Sequence, residues 1–162
     1  MSDISDTLQR QVQELVDRNE VKDLIGRLGV LLDEKRVEEL DQVFVAEATG
    51  EFPSGPMGSL AELQEYGRST IPAFDQVQHL MTNILVELDG DRATARANML
   101  SFNTHRGGDP TRHFDLGGIY RFETVRTPAG WRIARVEMAQ VWTGGSMDEE
   151  WLKLANYDGT AA

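Results

Sequence analysis

Three places in the sequence put proton-transferring side chains where a fold could use them. The first is Asp33, which closes the run LIGRLGVLLD from Leu24. At 100° per residue Val21, Leu24, Ile25, Leu28, Leu31 and Leu32 share a broad apolar face, while Gly26, Gly29 and Asp33 share another. Each glycine inside a helix costs about 0.8–1 kcal/mol relative to alanine, so two of them beside an acid predict the close approach of a strand or a ligand. The plainer alternative packs a sheet on the glycines and leaves Asp33 solvated. The second place is His79, in a strand-like run that alternates Val77, His79, Met81, Asn83, Leu85 against Leu80, Thr82, Ile84, Val86, Leu88. A neutral imidazole in a pocket can take a proton from a carbon acid or a hydroxyl. Asn83, Asn98 and Tyr120 are the nearest donors for an oxyanion or enolate by strand alternation. A purely structural strand histidine is the alternative. The third place is His113 with Asp115, two residues apart and so on one strand face, beside Arg112 and Gly117-Gly118. They form a second possible acid–base pair, or else a solvated strand end. His105, next to a turn, is expected to be exposed.

Other chemistries lack their residues. There is no cysteine and hence no thiol nucleophile or disulfide, no GxSxG and no phosphate loop. The histidines show no ligand spacing such as HExxH, so neither a metal nor a cofactor is expected.

The elements that must position these groups can be read from periodicity. Apolar residues from about Thr7 to Asp33 keep a three-to-four spacing, one long helix or two in series broken near Asn19, after a frayed start at residues 1–6. Val37, Leu40, Val43 and Phe44 predict a short second helix, and Ala46 to Phe52 leads into a loop at Pro53, Gly55, Pro56 and Gly58. Ser59 with Glu62 is a capping box, opening a helix from Leu60 to about Ile71 that Pro72 stops. Beyond Phe74 the period becomes two. Four strands follow, Val77 to Leu88, Arg92 to Thr104, Arg112 to Arg126 and Trp131 to Trp142, joined by hairpin-like turns at 89–91, 107–110 and 128–130. Ser146 with Glu149 opens a short helix over 146–155. Helices first and a long sheet afterwards predict an α+β fold, a curved antiparallel sheet wrapped over the helices around an internal pocket.

At 162 residues the chain suits one domain, 1–162 with a core of about 7–142. The start carries no signal-like apolar run and no stretch approaches a membrane span, which points to a cytoplasmic protein. A net charge of −11 argues against nucleic acid and anionic membrane as partners.

In this order the motifs resemble the SnoaL-like branch of the nuclear transport factor 2-like, or cystatin-cone, superfamily. The pieces are LIGRLGVLLD, QHLMTN at 78–83, LDGDRATA at 88–95, GGIYRFE at 117–123 and GWRIARV at 130–136. The superfamily includes scytalone dehydratase, bile-acid 7α-dehydratase, ketosteroid isomerase-like enzymes, polyketide cyclases, and proteins with no catalysis. The resemblance implies that Asp33 and His79 point into the cone and work as a pair. It puts Leu28 where the bile-acid enzyme has a tyrosine, Phe102 and Gln140 where that enzyme has a strand aspartate and a late arginine, and Asn98 near the second histidine of scytalone dehydratase.

Together these readings imply a cofactor-independent dehydratase, isomerase or cyclase for an apolar oxygenated molecule such as a polyketide, steroid or terpenoid. Asp33 and His79 would be catalytic, with Asn83, Asn98, Tyr120, Leu28 and Phe102 around the ligand. A non-catalytic small-ligand-binding or assembly module is the alternative. Met57, Met81, Met99 and Met138, with Phe74, Phe102, Trp131 and Trp142, can line an apolar cavity. Trp142 with Val136, Met138 and Gln140 can instead face a partner subunit, and a sheet face left bare by its own helices predicts a homodimer or homotrimer.

Overall fold

A computed structural model describes residues 2–105, 107 and 111–146. The expected helix over 146–155 falls, from residue 147 on, outside them, as does most of the expected turn at 107–110.

Helix α1 (Ser2–Asp33) is unbroken through Asn19 and includes the expected frayed start. Its first half exposes Ile4, Leu8, Val12 and Leu15, and its second half buries Val21, Leu24, Ile25, Leu28 and Leu31 in the core. The helix ends in a Schellman motif. Lys35 takes a left-handed φ of 58°, Arg36 N donates to Leu31 O at 2.8 Å, and Lys35 N donates to Leu32 O at 3.1 Å. The Lys35 ammonium then donates to the carbonyls of Phe74 and Asp75 at 2.6 and 3.0 Å, which pins the helix end to the start of a strand.

Where a second α-helix is expected, Val37–Gln42 forms a 3-10 turn, and the chain enters strand β1 (Phe44–Phe52) directly. Part of the expected loop is strand β2 (Gly55–Met57). Helix α2 (Leu60–Thr70) has Ser59 as its N-cap, with the hydroxyl accepting from Glu62 N at 3.2 Å. The Glu62 carboxylate reaches one residue further back than in the standard box, to Gly58 N at 2.9 Å. The four long strands are β3 (Phe74–Asp89), β4 (Arg92–His105), β5 (His113–Thr127) and β6 (Gly130–Gly145).

The sheet order is β2-β1-β6-β5-β4-β3, an open six-stranded sheet. It is mixed rather than purely antiparallel, because β1 runs parallel to β6. Extra residues interrupt the ladder where Thr82 pairs Asn98 but Leu85 pairs Arg96, where Glu123 pairs Arg135 but Thr124 pairs Ile133, and where Gly117 pairs Trp142 but Gly118 pairs Gln140. Each bulge bends its strand and reverses which residues face the helices. In β3, Val77, His79 and Met81 face inward before the bulge, and Ile84, Val86 and Leu88 after it.

One polar cluster ties α1 to the far end of the sheet. Asp17, buried, accepts from Arg126 Nη2 at 2.7 Å, Gln13 Nε2 at 3.1 Å and Trp131 Nε1 at 3.3 Å, and the Arg126 guanidinium lies 4.6 Å over the Trp131 ring. Bonding to Arg126, above all, holds the Asp17 carboxyl below its ordinary value of 3.8. A depressed carboxylate contributes stability that is present above the unfolded-state value and lost as pH falls through the folded one. Asp17→Asn is therefore expected to cost about 1–3 kcal/mol at pH 7, toward the lower end because Arg126 is partly solvated. Urea denaturation at a series of pH values should show the gap between variant and parent closing below about pH 4.

Candidate active site

Asp33 is the last residue of α1, and the Schellman turn and Lys35 fix where it ends. His79 stands on the inward face of β3 beside it. One carboxylate oxygen, Asp33 Oδ1, accepts two hydrogen bonds, from the His79 backbone N–H at 2.7 Å and from Nδ1 of its ring at 2.8 Å. A carboxylate only accepts, so Nδ1 carries the proton in the neutral ring and Nε2 keeps its lone pair. The His79 side chain is 11% exposed and that of Asp33 27%. Gly29 faces this pair: a Cβ there would lie 3.7 Å from Met81 Cγ and 3.9 Å from His79 Cβ, ordinary contacts. The strand, not a ligand, is what approaches the helix. Gly26 opens on nothing within 4 Å, so the expectation of close approach fails there. Nitrogen-15 shifts of the three imidazoles are expected to show the neutral His79 ring as the Nδ1–H tautomer, and an Nε2–H signature would overturn this geometry.

His79 lines a cavity of about 150 Å³ enclosed by the end of α1, α2, β1 and the inner face of β3–β6. Leu28, Leu32, Leu40, Phe44, Leu63, Phe74, Val77, Met99, Phe114 and Met138 make most of its wall. Polar groups enter from Ser54, Tyr66, Thr70, Ser101, Asn103, Tyr120 and Gln140. No Asp, Glu, Lys or Arg is among the described residues that line it. Ser101 pairs directly with His79 across the β3–β4 ladder. Its hydroxyl donates to Asn103 Oδ1 at 3.1 Å, and Asn103 Nδ2 donates to Phe114 O at 2.9 Å. Burial, with a smaller contribution from Tyr66, pushes the Tyr120 phenol far above its ordinary value of 10. It stays protonated, a neutral donor, at any pH the protein meets.

Of the residues expected around a ligand, Tyr120 and Leu28 are in the wall and three are not. Asn83 is exposed, because it sits in the β3 bulge with a left-handed φ of 52°. Asn98 and Phe102 alternate with the inward Ala97, Met99, Ser101 and Asn103, so both point to the outer face, and Phe102 is 41% exposed. Of the other apolar candidates, Met57 and Trp131 are buried in the core away from the cavity and Trp142 is exposed. The structure turns Val136, Met138 and Gln140 into the cavity, not toward a partner.

His113 Nδ1 and Asp115 Oδ2 do pair, at 3.0 Å, but at a strand end outside the cavity, with the His113 side chain 42% exposed. His105 is buried, not exposed. Its ring lies 5.7 Å from that of Phe74 and its Nε2 bonds the carbonyl of Ser146. Ser101 and Asn103, with Ser54, Tyr66 and Thr70, are polar wall residues that periodicity did not single out, and Gln140 was expected at a partner-facing position or in the place of an arginine. Continuing the alternation of Ala95, Ala97 and Met99 by two steps would have found the first two.

This architecture, N-terminal helices packed on an open, mixed six-stranded sheet, is that of the nuclear transport factor 2-like superfamily. Residues 13–137 match the SnoaL-like domain model, and the chain belongs to that family. Among relatives, Rv2910c of Mycobacterium tuberculosis, an uncharacterised protein, is 30% identical over 138 residues, 83% of this chain and 92% of its own length. A scytalone dehydratase-like structure from Novosphingobium aromaticivorans superposes with a TM-score of 0.77 at 20% identity, over 94% of this chain and 99% of that one. A hexachlorocyclohexane dehydrochlorinase, LinA type 2, gives 0.74 at 14% identity, over 85% and 93%. At these identities the two structures share the fold. No described helix is long and apolar enough to cross a membrane.

Proposed function

We propose that this protein is an acid–base enzyme, working without a cofactor, that removes a proton from a neutral, largely apolar, oxygenated molecule in a dehydration, isomerisation or cyclisation. The observation that carries this reading is the His79 imidazole, fixed through Nδ1 by Asp33 and lining a cavity whose other described wall residues are uncharged. Nε2 takes the proton, and the Asp33 carboxylate offsets the charge of the imidazolium that forms. The Tyr120 hydroxyl, kept protonated by burial, is suited to donate to an oxygen on which negative charge develops. In a dehydration the C–H electrons become the new double bond, the C–O bond breaks, and the imidazolium proton leaves with the hydroxyl as water. Two structural neighbours carry names that denote eliminations, a dehydratase and a dehydrochlorinase, so the fold accommodates this class of step. A cavity volume of about 150 Å³ holds one ring, since an engineered cavity of about that size takes benzene. A larger substrate would extend through the mouth.

The test is turnover of a panel of neutral hydroxylated mono- and polycyclic compounds, followed by mass spectrometry for loss of one water or formation of an isomer. Turnover that His79→Ala abolishes supports the proposal. Binding without turnover would assign the protein to non-catalytic ligand binding instead.

A further inference from the structure

Gln140 stands on β6 in the wall of the cavity. It is 7% exposed, and its carbonyl oxygen Oε1 is buried without a hydrogen-bond partner among the described residues. A buried acceptor left unpaired destabilises the fold, and native interiors rarely retain one. The backbone is arranged to place it so. Two bulges on β6 bracket the inward run Val136, Met138, Gln140, one on each side, and the second lets Trp142 turn out over Gly117 directly after Gln140 has turned in. Gln140 pairs with Gly118, which pairs with Met99, which pairs with Met81. It therefore stands three strands from β3 and about one inward position from the His79 row, across the concave face from the imidazole.

We propose that Gln140 selects the substrate of the acid–base site. Its amide, turned about χ3 to present Oε1 to the cavity, accepts a hydrogen bond from a hydroxyl or N–H of an uncharged, single-ring-sized ligand, such as a phenol, a cyclic alcohol or a lactam. The lining explains the rest of the preference. With no Lys or Arg among the described wall residues, a carboxylate or phosphate would lose its water without gaining a counter-charge. A hydrocarbon of the same size would leave Oε1 unpaired, and sites built to hydrogen-bond a donor reject analogues that lack it. This rests on the proposed function for what happens next to the ligand, but recognition by Gln140 does not require turnover.

The experiment is a binding cycle with phenol and toluene, matched in size and differing in the donor, on the parent and on Gln140→Leu, read by calorimetry or ligand-observed NMR. The parent is expected to prefer phenol. In Gln140→Leu the dissociation constant for phenol should rise about tenfold, the factor carried by one uncharged hydrogen bond, and that for toluene should stay level or fall. Without ligand the variant should melt at the same temperature as the parent or higher, since it removes an unpaired polar atom. A residue held for structure would instead lower it. Gln140→Met, which keeps the side-chain length, gives the same two readouts if the leucine variant folds poorly. Equal losses for both probes, an unchanged phenol constant, or no measurable phenol binding to the parent would overturn the proposal. Failure to find any turnover would sink the acid–base reading and leave this result standing.

Discussion

His79→Ala is expected to lower kcat by about 10²–10⁴-fold on whatever substrate the protein turns over, the contribution a positioned general base makes. Stability should stay within about 1–2 kcal/mol of the parent, because the backbone N–H of residue 79 still donates to Asp33 and the lost ring sits at the cavity wall rather than in the main core. Asp33→Asn separates charge from shape. An amide oxygen can still accept the backbone N–H, so β3 remains anchored, but it no longer offsets the imidazolium. Losing one charge-assisted bond, about 1.5–3 kcal/mol, corresponds to roughly 10–150-fold in rate. Asp33→Ala removes the acceptor of both hydrogen bonds at once and should cost stability as well. Steady-state kinetics beside urea denaturation on the three variants reads all of this. Turnover indifferent to both positions would mean that the base lies elsewhere in the wall.

The elements that hold this pair were legible because they are long and periodic. A 3.6-residue pattern runs through the second half of α1 and a two-residue pattern through β3 to β6, so Asp33 and His79 could be assigned to a helix end and a strand. Their meeting was not in the periodicity; it came from resemblance, and the hydrogen bonds of Asp33 Oδ1 bear out the contact. Strand β1 was unreadable for a physical reason. FVAEATGEF buries Phe44, Ala48 and Gly50 without strict alternation, and its strand state comes from a parallel partner more than eighty residues away. Strand β2, Gly-Pro-Met, tolerates Pro56 because it is an edge. A bulge explains one of the three misplaced site residues. One extra residue inverts a strand's faces, and no apolar pattern announces it. Thus Asn83 moved out of the cavity. Asn98 is a different error, since it neighbours the inward Met99 and adjacent strand residues cannot share a face. His105 shows the limit of judging exposure from a nearby turn: Phe74 and the chain at Ser146 cover it.

The β3 bulge supplies the prediction with the largest effect on the fold. Asn83 and Ile84 together oppose a single residue, Ala97, and Asn83 absorbs the change in direction with its left-handed φ of 52°. That extra residue is what lets His79 face the cavity at one end of the strand while Val86 faces the core at the other. Deleting Asn83 restores plain alternation, and one half of β3 must then turn inside out. If the far half turns, Val86, buried, and Ile84 and Leu88, half-buried, move into water. At about 1.5–3 kcal/mol for a fully buried aliphatic side chain, discounted for the two half-buried ones, the loss is about 3–6 kcal/mol, a large share of a typical domain's 5–15. If the near half turns, the loss falls on Val77 and Met81, and the Asp33–His79 bond breaks with them. Either way the deletion should unfold at markedly lower urea concentration. Asn83→Gly is the control, since glycine adopts positive φ without strain, and it should stay within about 1 kcal/mol of the parent with cavity binding intact. Asn83→Val, forced into the same backbone conformation, should lose about 1–2 kcal/mol. A deletion variant with parental stability would show that β3 can slip register without penalty, and that the bulge does not hold His79 in place.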